Sequence, residues 1–129
     1  MLMIDTYPRW QALEDGVLVD VAAVAKEAGF KFPVAITQGL HAELNNIPEE
    51  HNYQDYSGRL WDVLSMAVFA IRASQDKGSS LKYTIICHHE KFDNKGRRRI
   101  EEKLELQMLI HPGDKMEPVI TIGTSRCDM

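Results

Sequence analysis

The sequence predicts a two-layer α+β fold, with N-terminal helices packed on one face of a C-terminal three-stranded antiparallel β-meander. Three observations lead there. In the stretch 57–77, Leu60, Trp61, Leu64, Ala67, Val68 and Ile71 recur at helical spacing, and Val63, Met66, Phe69 and Ala70 fill most of the other faces. A helix apolar nearly all round is expected to be enclosed by the rest of a small domain. Beyond Gly78 the period changes to two, with Leu81, Tyr83, Ile85 and Cys87 alternating against Lys82, Thr84, Ile86 and His88. Helices therefore come first and strands second, and this segregation favours α+β over an alternating α/β fold. One domain over 1–129 is expected: helices over about 6–77, the meander over about 80–123 and a tail at 124–129.

Taken in order, Thr6 reads as an N-cap with Pro8 in the first turn, opening a short helix that runs to Asp15 and stops at Gly16. Val17, Leu18 and Val19 form a brief apolar bridge. Asp20 then caps a helix whose Val21, Val24, Ala25 and Ala28 share one stripe, with Gly29 and Phe30 as its Schellman ending. Val34 to Leu44 is read as a third helix striped by Ile36, Leu40 and Leu44. The competing reading is a short strand, because Phe30, Phe32, Val34 and Ile36 alternate. Asn45 to Tyr56 reads as a surface loop, and 57–77 is the core helix, in which Trp61 is expected to be mostly buried. Asp93–Gly96 is a turn between the first two strands. The second strand carries Ile100, Leu104, Leu106, Met108 and Ile110 on its core face. His111–Asp114 turns the chain into a third strand over 118–123.

The chain of 129 residues is 44% hydrophobic and 26% charged, the balance of an ordinary globular protein. Its net charge of −4 argues against general nucleic-acid binding. The charge is split, with nine acids against three bases in 1–55 and ten acids against twelve bases in 56–129. No secretory signal is visible and no stretch is long and apolar enough to span a membrane, so a cytoplasmic protein is expected. Cys87 and Cys127 are then reduced thiols.

The hairpin 91–99 is the best-defined candidate site. It holds Lys91, Phe92, Lys95, Arg97, Arg98 and Arg99 against Asp93 alone. Guanidinium forks suit carboxylates and phosphates, and Phe92 adds a stacking surface, so an acidic protein surface would suit the hairpin as well as RNA, and the binding function is expected there. The plainer reading is a solvated hairpin tip whose charges discourage edge-to-edge pairing. Val24–Phe30 has the spacing of a helix-turn-helix start, but its second helix would offer no base after Lys31. Cys87 and His89 could share a metal ion, with further ligands only from His41, His51 or His111. No recognised spacing supports that, so no metal and no cofactor are expected. Neither a nucleophile elbow nor a glycine-rich phosphate loop occurs, and an enzyme is unsupported.

Three segments carry a resemblance. They are Asp15–Phe30 with Pro33–Thr37, Gly58–Leu64 with Met66 and Ala67, and Pro112–Asp114 with Glu117–Ile122. Together they resemble an uncharacterised family of small bacterial proteins carried on plasmids and other mobile elements. The resemblance supplies no activity, cofactor or site residues. It implies an accessory role, and the leading expectation is a non-enzymatic protein that binds another protein, a component of host defence or of element maintenance. The rivals are a nucleic-acid binder using 91–99 and an enzyme without a recognisable motif.

Overall fold

The computed structural model describes residues 8–45, 56–74, 78, 80–93 and 96–124, with side chains placed for all of these except 87–93 and 96–102. Thr6, the loop residues 46–55 with His51, the turn residues Asn94 and Lys95, and the tail with Cys127 lie outside the described residues.

The elements are α1 (Arg9–Glu14), β1 (Leu18–Asp20), α2 (Ala22–Ala28), β2 (Val34–Thr37), α3 (Gln38–Asn45), α4 (Tyr56–Ala73), β3 (Ser80–Asp93), β4 (Gly96–Pro112) and β5 (Pro118–Thr124). The sheet corrects the expected three-stranded meander. Among the described residues it has five strands in the order β1-β2-β5-β4-β3. The meander β3-β4-β5 is antiparallel, but β2 joins β5 in parallel, with Val34 beside Ile120 and Ile36 beside Ile122, and β1 pairs antiparallel with β2. The fold is α+β with a mixed sheet.

The two missed strands have a physical explanation. The expected apolar bridge at 17–19 is part of β1, too short to show a period. For β2 the competing strand reading is the right one over Val34–Thr37. All four of its residues are buried, so the alternation from Phe30 to Ile36 is not an inside–outside pattern and does not outweigh the helical stripe. The third helix starts only at Gln38, so Ile36 belongs to the sheet while Leu40 and Leu44 belong to α3. The Thr37 hydroxyl accepts the Leu40 N–H at 3.3 Å where strand turns into helix.

Strand β2 is covered on both sides. Val34 and Ile36 face the main core with Leu40, Leu44, Leu60, Val63, Leu64, Ala67, Leu106, Met108, Ile120 and Ile122. Ala35 points the other way, into a smaller cluster with Ala12, Leu18 and Leu13. Helices α2, α3 and α4 thus lie on one face and α1 on the opposite one, a second correction to the expected layering. Helix α1 is anchored from far along the chain: the Asp114 carboxylate accepts the N–H groups of Arg9 at 2.7 Å and Trp10 at 2.9 Å. That cap satisfies two donors at the helix start.

Helix α2 ends as its sequence predicts. The Phe30 N–H reaches the Ala25 carbonyl at 3.0 Å and the Gly29 N–H reaches that of Lys26 at 3.1 Å, the pair of bonds of a Schellman motif. Asp20 Oδ1 accepts the Ala22 N–H at 2.9 Å. Gly29 has φ 111°, and a Cβ built there would meet nothing within 4 Å. The cost of a side chain is therefore backbone strain alone. Gly29→Ala is expected to destabilise by about 1–2 kcal/mol, read as a lower urea midpoint.

Tyr83 on β3 ties the sheet to α4, donating its hydroxyl to the Val63 carbonyl at 3.0 Å. Burial pushes its phenol well above the ordinary value. The neutral form is thus favoured in the folded chain. The resulting stability is fully present below the unfolded value of about 10 and is lost as pH rises above it. Tyr83→Phe is expected to cost about 1 kcal/mol at neutral pH. In urea titrations above pH ~10 the wild type should lose stability faster than the variant; parallel pH profiles would contradict this.

Candidate protein-binding surfaces

Helix α4 has 18 residues and organises the main core. Leu60, Val63, Leu64 and Ala67 are buried, and Val68 and Ile71 pack against them, so the inward stripe follows i, i+3, i+4, i+7. The remaining apolar residues are not enclosed. Phe69 is 66% exposed, Trp61 43% and Met66 41%, which corrects the expectation of a mostly buried Trp61 and an enclosed helix. At 3.6 residues per turn, Trp61 lies about 100° round from the centre of the buried stripe and Phe69 about 180°. Met66 occupies the other flank. Asp62 and Arg72 are exposed on the same outer face. Three large apolar side chains with a charged fringe therefore stand in solvent on the helix that the rest of the fold is built around.

The basic hairpin is formed by the ends of β3 and β4. Its register places Lys91 opposite Arg98, Phe92 opposite Arg97 and Glu90 opposite Arg99, with Asp93 opposite Gly96 closing the ladder. Lys95 lies outside the described residues. The pairing brings Lys91, Phe92, Arg97 and Arg98 together on adjacent strands, far from the short N-terminal strands at the other edge of the sheet. Glu90 adds an acid that the expected basic cluster did not include.

The other candidate chemistries disperse. Cys87, His88 and His89 lie on β3 opposite Glu102, Glu101 and Ile100. His41 is on α3, where its ring packs edge-on against Tyr56 with centroids 5.0 Å apart and interplanar angle 72°. Its Nδ1 lies 2.8 Å from the Tyr56 hydroxyl, and its Nε2 lies 3.3 Å from the Asn45 amide nitrogen. An amide NH2 only donates, so Nε2 accepts and Nδ1–H donates to the phenol oxygen. Burial raises the Tyr56 pKa, consistent with a neutral phenol in that pair. His111 Nδ1 donates to the Pro112 carbonyl at 3.1 Å and Nε2 sits 2.7 Å from the Thr121 hydroxyl. Both rings have structural partners. Among the described residues no group of three or more His, Cys, Asp or Glu has the geometry to hold a metal ion. Among the same residues no helix is long and apolar enough to cross a membrane. The helix-turn-helix spacing at Val24–Phe30 leads into strand β2, and the next helix, α3, starts only at Gln38, beyond the short turn that the motif needs.

Sequence reasoning missed the outer face of α4. The available signal was the excess of apolar residues over what one buried stripe needs; reading it as complete enclosure hid the alternative. Comparison with curated proteins and with solved structures finds no match in either. A model of a family of unknown function, DUF6573, matches residues 2–126, which include all three of the segments singled out from the sequence. The chain belongs to that family.

Proposed function

We propose that this protein is a non-enzymatic binding protein that engages another protein through the outer face of α4. The observation that carries the reading is the exposure of Trp61 and Phe69 on the helix that otherwise builds the core. Large aromatic side chains held on a rigid element lose little freedom on binding and are the usual anchors of protein interfaces. Asp62 and Arg72 supply a polar rim around an apolar centre, the general layout of such interfaces. The partner is accordingly a protein that presents an apolar groove. On the same reading the protein is an accessory product of a plasmid or other mobile element in bacteria, and its partner belongs to host defence or element maintenance; the resemblance of the three sequence segments supports this. A second reading, a polyanionic partner such as nucleic acid held by the 91–99 hairpin, is favoured by the register that sets Lys91 beside Arg98 and Phe92 beside Arg97.

Affinity capture from the native host with three baits separates the two. Wild type and Arg97→Glu/Arg99→Glu should retain the same protein, and Trp61→Ala/Phe69→Ala should lose it. Loss with the charge-reversed bait alone, together with release by salt, would transfer the function to the hairpin.

A further inference from the structure

Among the described residues the sheet ends on one side at β1, only three residues long, and on the other at β3, with fourteen. A long edge strand presents a row of backbone donors and acceptors, and proteins usually blunt such edges with proline, bulges, shortness or charged side chains, lysine above all. Strand β3 lacks the first three, and its charges, Lys82, Glu90 and Lys91 among them, are of both signs, so they repel a second strand only in registers that set like against like. It contains no proline, and its register with β4 runs one-to-one from Ser80↔Leu109 to Asp93↔Gly96 without a slipped residue. Its outward-facing midpoint, Ile86, is 55% exposed. We infer that β3 pairs antiparallel with β3 of a second copy of this chain, joining two sheets edge to edge about a two-fold axis at Ile86.

Symmetry restricts the choice of register. An axis perpendicular to the sheet keeps each residue on its own face, so residues of like parity must pair across it and the axis must pass through a residue pair. Centring on Ile86 sets Lys82 opposite Glu90 twice, once on each side of the axis. It also sets Ile86 beside its own mate and Ile85 beside Cys87. Centring one residue earlier sets Lys82 against His88; one residue later sets it against Phe92. Only the Ile86 register among these pairs the opposite charges. Glu90 would then lie between Arg99 of its own β4 and Lys82 of the other copy. This self-complementarity selects a second copy over a foreign strand. The inference is independent of the α4 reading, because it uses the edge of the sheet and not the outer face of the helix.

The test measures the mass of the full chain in solution by sedimentation equilibrium, with circular dichroism as the check on folding. Wild type should be a dimer at micromolar concentration. Lys82→Glu should weaken the dimer by about tenfold or more, by setting like charges opposite each other twice, and Lys82→Glu/Glu90→Lys should restore it. In a Cys87→Ser/Cys127→Ser background, Ile86→Cys should cross-link across the axis on mild oxidation and Thr84→Cys should not. A monomer at every concentration would overturn the proposal. So would a dimer indifferent to Lys82→Glu, or one that cross-links equally through position 84.

Discussion

Leu64→Ala is expected to lower the free energy of unfolding by about 3–4 kcal/mol, more than Gly29→Ala, Tyr83→Phe or Trp61→Ala. Leu64 is fully buried and meets residues from the helical layer and from the sheet in the main core. Truncation removes the transfer energy of three carbons and leaves a cavity walled by strands and helices that cannot both move in to fill it. Trp61→Ala, three positions earlier, removes a larger side chain but should cost less, about 2 kcal/mol, since 43% of its surface is already in water and its loss leaves no enclosed cavity. The contrast matters more than either value. Urea denaturation, with the midpoint shift read at unchanged slope, checks both. Equal losses at Leu64 and Trp61 would mean that the outer face of α4 is covered in solution.

The second large effect is on binding. Buried aromatic anchors commonly lose about 2 kcal/mol or more on truncation to alanine. Two of them would weaken association by a hundredfold or more, each 1.4 kcal/mol being about tenfold. Trp61→Ala/Phe69→Ala should therefore combine a smaller stability loss than Leu64→Ala with greatly reduced affinity of the folded protein for the captured partner. A core role would give the opposite pattern, with stability lost and affinity per folded molecule retained. The two residues stand eight positions apart, about 12 Å along the helix, a separation that a single groove on a partner can span.

The elements legible in the sequence are those whose signal is local and repeated. Leu60, Val63, Leu64 and Ala67 announce α4; Gly29 and Phe30 announce the end of α2; the alternation from Leu81 and from Leu104 announces β3 and β4. The signals that failed are short or depend on distant residues. Strand β2 is four residues long and buried on both faces, so the alternation of Phe30, Phe32, Val34 and Ile36 hints at a strand without separating it from the helical stripe of Ile36, Leu40 and Leu44. Its parallel neighbour β5 lies more than eighty residues further on, and nothing in ValAlaIleThr names that partner. The cap of α1 comes from Asp114, again across the chain. The candidate site divides in the same way. The position of the basic hairpin follows from AspAsnLysGly and from the alternation around it. The outer face of α4 required knowing which side of an apolar helix the sheet leaves uncovered, and helical periodicity does not say.

The most direct test of binding through α4 is calorimetric titration of the purified captured partner into wild type and into Trp61→Ala/Phe69→Ala, each at low and at high salt. The expected result is wild-type affinity that changes little with salt, an apolar contact having few counterions to release, and affinity at least a hundredfold weaker for the double variant at either salt. An unchanged affinity in a folded double variant, or wild-type binding that collapses at high salt, would contradict a binding site on the outer face of α4.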